Sequence, residues 1–118
     1  MVDKFIDLGF KAFGQFQFNK NELSFERLHE EYNPSDVIWI VATEIETLYI
    51  GKTIGAINTV LKDMLKANQN RATRNRINTL VEEYTKKNRV CFLVGDANEH
   101  SKTDLIKRYK PVGNINGK

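Results

Sequence analysis

Three apolar runs give the clearest signal along the chain. Val37–Ala42 is continuous and rich in β-branched residues, which predicts a central strand buried on both faces. Residues 47–50 form a second run after a four-residue turn, and this short connection predicts an antiparallel hairpin. Residues 90–94 form a third run of the same kind, followed by a turn expected at Gly95 and Asp96. The pattern therefore predicts three buried strands.

Helical periodicity fills the intervals between and after these strands. Residues 56–67 place their apolar side chains on one face of a helix, and residues 77–84 do so in a second helix. Ser101 and Asp104 have the spacing of a capping box for a last helix, which Pro111 ends. The order strand–strand–helix–helix–strand–helix predicts an α+β domain with a small antiparallel sheet flanked by helices.

The first 36 residues are expected to extend this core. Apolar spacing predicts a short amphipathic helix within residues 2–13, interrupted by Gly9. Alternating residues at 15–18 and 23–25, on either side of a polar turn, predict a hairpin. We expect one compact domain, with an extension over 1–36, a core over 37–114 and a tail over 115–118.

Composition narrows the classes of function. The chain has 118 residues and a net charge of +3, but residues 1–48 sum to −5 and residues 49–118 to +8. A basic second half favours a polyanion as partner if the charges converge. The single cysteine, Cys91, lies in an apolar run, so it is expected to be a small buried hydrophobe, and no disulfide or zinc site is expected. No apolar run of about 18 residues is present, and we expect a cytoplasmic protein without a membrane partner.

The segment Tyr49-Ile50-Gly51-Lys52-Thr53 ends the second strand. Its glycine is expected where the chain turns, and its threonine is a candidate cap for the next helix. A second signature closes the chain, where a Leu-Ile pair at 105–106 precedes a Pro-x-x-Asn pattern at 111–114. Each signature is too short to be specific alone. Their order and spacing along the chain make the pair moderately specific.

Together these signatures resemble the GIY-YIG endonuclease superfamily, over about residues 14–114, in its small bacterial or phage type. The resemblance implies a three-stranded antiparallel central sheet flanked by helices. It also implies a nuclease mechanism in which a tyrosine helps to activate water. A glutamate would bind one divalent metal ion, and an arginine would stabilise negative charge on the scissile phosphate.

Three positions depart from that family pattern. Trp39 stands where the first motif has its tyrosine, Thr59 where the arginine is expected, and Lys102 where the metal-binding glutamate is expected. An indole has no ionisable oxygen, and an ammonium group repels a metal ion that a carboxylate would bind. The sequence therefore predicts a pseudoenzyme that has kept the fold.

The preferred hypothesis is a DNA-binding domain without nuclease activity or cofactor. Its basic face would include Lys52, Lys62, Lys66, Arg71, Arg74, Arg76, Lys102 and Lys107. An alternative is an active endonuclease dependent on Mg²⁺ or Mn²⁺, with a rearranged site comprising Tyr49, Gly51, Lys52, Glu99 and Asn114. A third hypothesis is a protein-binding inhibitor or accessory module of a nuclease or defence system.

Overall fold

A five-stranded antiparallel sheet lies at the centre of the described structure, with helices on both of its faces. A computed structural model describes residues 1–20, 22–65 and 72–114, and for residues 72–75 it describes the backbone alone. In chain order, the elements are α1 (Val2–Asp7), β1 (Lys11–Asn19), β2 (Glu22–Arg27), β3 (Val37–Ala42), β4 (Thr47–Thr53), α2 (Ile57–Leu65), α3 (Ala72–Thr85), β5 (Val90–Asp96) and α4 (Lys102–Tyr109).

The strand order is β2-β1-β5-β3-β4, and every pairing is antiparallel. The three predicted core strands, β3, β4 and β5, are contiguous in this sheet. The expected three-stranded sheet is nevertheless too small, because β1 pairs with β5 and carries β2 with it. The predicted hairpin thus widens the sheet, and α1 packs against β1 and β5.

Alternation along β3 and β4 divides the core into two apolar clusters. Trp39 and Tyr49 lie in the larger cluster, on the face covered by α2 and α3. Ile38 and Ile50 lie in the smaller cluster, on the face covered by α1 and α4. Burial on both faces explains why β3 is a continuous apolar run, since each successive side chain enters one core or the other. None of the helices in the described ranges is long and apolar enough to cross a membrane.

Several predicted boundaries are wrong for local reasons. The first helix ends at Asp7, because Gly9 adopts a φ of 100° and the chain then enters β1. The turn predicted at Gly95 and Asp96 belongs to β5 instead, where these residues pair with Ile38 and Val37.

Gly51 lies within β4, not at a turn, and pairs directly with Trp39. A Cβ atom on Gly51 would lie 2.3 Å from the Cε2 and Cζ2 atoms of the Trp39 ring. The glycine is therefore explained by the close approach of an indole to the neighbouring strand. Thr53 does not cap α2, which begins four residues later, and its hydroxyl group donates to the carbonyl of Gly55.

Replacing Gly51 by alanine is expected to destabilise the protein. The added methyl group must displace the buried Trp39 ring, and overpacking of this kind costs roughly 1–3 kcal/mol. Gly55→Ala is the matched control, because the nearest atom to its Cβ would be the Thr53 hydroxyl oxygen at 4.0 Å. Urea denaturation measures the stability of both variants. Equal unfolding midpoints for Gly51→Ala and Gly55→Ala would contradict the packing argument.

Candidate functional site

Trp39 is the centre of an aromatic stack beneath α2 and α3. Its ring lies 5.1 Å from that of Tyr49 at an interplanar angle of 28°, and 5.6 Å from that of Phe92 at 13°. Trp39 is 1% exposed and Tyr49 is 6% exposed. The position where the family has a tyrosine is thus filled by a packed indole. Its only polar group is an N–H donor, so it cannot act as a base.

The outer edge of β4 is closed by residues 111–114, which we call the C-terminal strap. Backbone N–H groups of Val112 and Gly113 donate to the carbonyls of Thr47 and Leu48 at 3.1 and 2.6 Å. The Asn114 side chain accepts from the Ile50 N–H group at 2.9 Å and donates to the Ile50 carbonyl at 3.0 Å. An edge strand presents unpaired backbone groups, and the strap satisfies those of Thr47, Leu48 and Ile50. The structure therefore brings the two sequence signatures together.

The start of α2 is held by the loop that precedes β3. The Asn33 side chain accepts from the Asn58 N–H group at 3.0 Å, and the Pro34 carbonyl accepts from the Ile57 N–H group at 3.0 Å. These contacts satisfy N–H groups that an anion would otherwise find at a helix N-terminus. Thr59 is exposed in the same turn and has no charge to offer a phosphate.

Arg27 lies beside Thr59, and both residues line the same surface groove. Its Nη1 atom donates to the Asn58 side chain at 2.5 Å, and its Nη2 atom donates to the carbonyls of His29 and Tyr32 at 3.2 and 2.8 Å. The guanidinium group also lies 4.8 Å from the centre of the Phe13 ring. Arg27 thus joins the end of β2 to α2 and to the loop after β2. Because 31 residues separate Arg27 from Asn58, no local pattern signals the contact.

The far end of β5 leads to Glu99, a candidate of the active-nuclease alternative, and to Lys102, which stands where the resemblance implies a metal-binding glutamate. Lys102 begins α4, and the Ser101 hydroxyl oxygen accepts from the Asp104 N–H group at 3.3 Å, which confirms the predicted cap. Glu99 is exposed in the turn before it, where its N–H group donates to the Asp96 carbonyl at 3.1 Å. Within the described ranges, no group of three or more His, Cys, Asp or Glu residues is arranged to hold a metal ion. With a lysine at the glutamate position, the residues present do not fit the divalent ion implied by the resemblance.

The predicted basic residues flank β4 on both sides. Lys52 pairs with Ile38 and so extends from the face covered by α4, which also bears Lys102 and the exposed Lys107. Lys62 on α2 and Arg76 on α3 belong to the helices of the opposite face. Lys66, Arg71 and the Arg74 side chain lie outside the described residues. The described cations therefore border β4 and do not form a single flat face.

Two side chains with a shifted pKa lie at the end of the sheet opposite Lys52. A hydrogen bond to Glu46 raises the pKa of Tyr84, and burial and the charges of Glu46 and Glu83 act in the same direction. Burial raises the pKa of the Cys91 thiol, with Arg89 opposing this shift. Cys91 is buried and free, as expected from its apolar neighbours.

Comparison with known proteins gives matches in structure alone. No protein-family model matches the chain, and no curated protein matches its sequence. The chain aligns with a structure of bacteriophage T4 EndoII at a TM-score of 0.72 and 22% identity, covering 98% of both chains. It also aligns with the restriction endonuclease HPY188I in complex with product DNA, at a TM-score of 0.58 and 12% identity, covering 95% of this chain and 83% of the other. The chain has a nuclease-like fold.

Both alignments are with endonuclease structures, so they confirm the expected nuclease-like fold, and they do so by structure alone. The fold places Asn114 of the closing signature against Ile50 of the Tyr-Ile-Gly segment. Trp39 and Gly51 pack against each other. Asn114 forms hydrogen bonds with the Ile50 backbone.

Asn114→Ala is expected to destabilise the edge of the sheet. It removes two hydrogen bonds to the Ile50 backbone, and leaving such groups without partners costs about 1–3 kcal/mol. Hydrogen exchange at the Ile50 amide should accelerate more than exchange at the amides of β5. Asn98→Ala is the control, because Asn98 donates to the Asp96 side chain through its backbone N–H group. This hydrogen bond does not require the Asn98 side chain. Unchanged protection of Ile50 in Asn114→Ala would show that the strap does not close this edge.

Proposed function

We propose that this chain is a GIY-YIG-fold domain that binds DNA without cutting it. The observation that carries the proposal is a nuclease-like fold in which the three departing motif positions hold Trp39, Thr59 and Lys102. One structure with the same fold is a restriction endonuclease in complex with product DNA. The fold supports DNA as the ligand, and the three substitutions argue against hydrolysis.

Each substitution removes a different part of the chemistry. Trp39 is packed between Tyr49 and Phe92 and supplies no general base. Thr59 is neutral and cannot stabilise a developing phosphate charge as an arginine would. Lys102 puts a positive charge where a carboxylate would bind the metal. Hydrolysis would therefore lack a general base, a group that stabilises the phosphate charge and a metal ligand.

The active-nuclease alternative has less support from the geometry. It requires a carboxylate to replace the glutamate whose position Lys102 occupies, and the candidate, Glu99, is exposed in the turn before α4. Tyr49 is largely buried in the aromatic stack, and the Asn114 amide is bonded to the Ile50 backbone.

Binding is proposed to begin at the end of β4. Lys52 is exposed at this end, and α4 begins with Lys102 after the turn that follows β5. The register places Lys52 and the end of β5 at the same end of the sheet, because Ile38 pairs with both Lys52 and Gly95. Ammonium groups here would neutralise backbone phosphates, an interaction that depends little on sequence and strongly on salt.

The proposal predicts that duplex DNA binds the wild-type protein with a linear dependence of log K on log salt. Removing one phosphate contact lowers the slope by about 0.9 and weakens binding roughly eightfold at 0.1 M salt. Lys52→Ala combined with Lys102→Ala should therefore lower the slope by nearly two. Fluorescence anisotropy over about 50–200 mM salt measures this.

Lys87→Ala is the matched control. Lys87 is exposed just before β5, at the opposite end of the sheet from Lys52, so its loss should change affinity less than twofold. The absence of DNA binding by the wild-type protein would overturn the proposed function. Equal slopes for the double variant and the wild-type protein would show that binding uses another surface.

A further inference from the structure

Gly113 of the C-terminal strap lies directly against the strand that bears Tyr49. A Cβ atom on Gly113 would lie 2.7 Å from the Leu48 carbonyl oxygen and 3.3 Å from the Tyr49 Cδ2 atom. Only a glycine fits without displacement of this backbone. Any group bound to Gly113 is therefore held next to Tyr49, at the rim of the aromatic stack.

Arg76 is the charged residue that binds Gly113. It lies on α3, and its Nη2 atom donates to the Gly113 carbonyl at 2.9 Å. Its Nε atom is buried and has no hydrogen-bond partner among the described residues. The described contacts use one of the five N–H donors of the guanidinium group, so further donors on the Nη atoms remain for a ligand.

The half-buried Arg76 opens onto a surface groove between α3 and the strap. This groove has a volume of about 450 Å³, and its lining residues are Arg76, Thr79, Leu80, Glu83, Val112 and Gly113. Glu83 follows Arg76 by seven residues, which corresponds to roughly 10 Å along a helix. Among the described residues that line the groove, Glu83 is the one acidic side chain, so an anion would be attracted to the opposite end, which borders Tyr49.

Arg27 and Arg76 differ in what their guanidinium groups can still do. Arg27 lies beside Thr59, but three of its N–H donors are bonded to Asn58, His29 and Tyr32, and its Nε atom is also buried. Arg76 makes one such bond to a described residue. An arginine is suited to hold a protein carbonyl and a phosphate at once, because its donors form a planar fork.

We propose that Arg76 is the phosphate-contacting residue of this site, supplying from α3 the guanidinium group that Thr59 does not supply from α2. The ligand class is the backbone phosphodiester of DNA, and the inference rests on the proposed function. It adds a specific contact, beside Tyr49 and the strap, to the lysines at the end of β4. Arg76 would bind the phosphate by charge-assisted hydrogen bonds while its bond to Gly113 keeps the strap in place.

The test compares the salt dependence of duplex binding by wild-type protein, Arg76→Gln and Arg76→Lys. Glutamine removes the charge, and its amide nitrogen lies two bonds short of the Nη2 atom that donates to the Gly113 carbonyl, so urea denaturation is measured alongside binding to show that the variant is folded. The expected result for Arg76→Gln is a salt slope smaller by about 0.9 and binding weaker by roughly eightfold at 0.1 M salt. Arg76→Lys should restore the slope, since the charge returns.

Arg89→Ala is the matched control, because Arg89 is exposed and donates to Gln15 on a distant part of the sheet. A slope for Arg76→Gln equal to that of wild-type protein would overturn the inference, and a lowered urea midpoint in the same variant would leave Arg76 a structural residue. If the wild-type protein itself does not bind DNA, the proposed function fails and the inference fails with it. The two failures are distinguished by the wild-type titration.

Discussion

The packing of the Trp39 indole on Gly51 is the contact on which the central hairpin depends. The ring approaches the β4 backbone so closely that no side chain fits at Gly51, and it stacks on Tyr49 and Phe92 from neighbouring strands. One residue therefore joins β3, β4 and β5 on the face beneath α2 and α3. The same packing fills the place where a nuclease of this fold would have a reactive hydroxyl group. Under the proposed function, stability of the sheet and loss of chemistry would have a common cause at this position.

Because the interior of the site is filled, groups that can meet a ligand lie at its rim. The C-terminal strap closes the edge of β4 and brings Arg76 to Gly113, next to Tyr49. Lys52 extends from the other side of the same strand. The nuclease fold thus retains an arrangement in which positive charge borders the second motif. Such an arrangement suits binding of a phosphate backbone, which needs charge and position but no base and no metal.

The parts of the fold that could be predicted are those that local patterns determine. Val37–Ala42 is apolar at every position because both faces of β3 are buried, and the Ser101 cap follows from a four-residue spacing. Gly51 could not be placed from the sequence, because its role depends on the Trp39 ring across the hairpin. The contacts of Arg27 with Asn58 and of Arg76 with Gly113 join residues 31 and 37 positions apart. Neither periodicity nor motif spacing contains information on such pairs.

The central claim is that a nuclease fold has been retained without its hydrolytic chemistry. Its most direct test is incubation of purified protein with supercoiled plasmid at low salt, in parallel with Mg²⁺, Mn²⁺ or EDTA. We expect a retarded plasmid band under all three conditions and no nicked or linear product under any of them. Metal-dependent nicking that follows the protein peak on purification, and is lost in Tyr49→Phe, would contradict it.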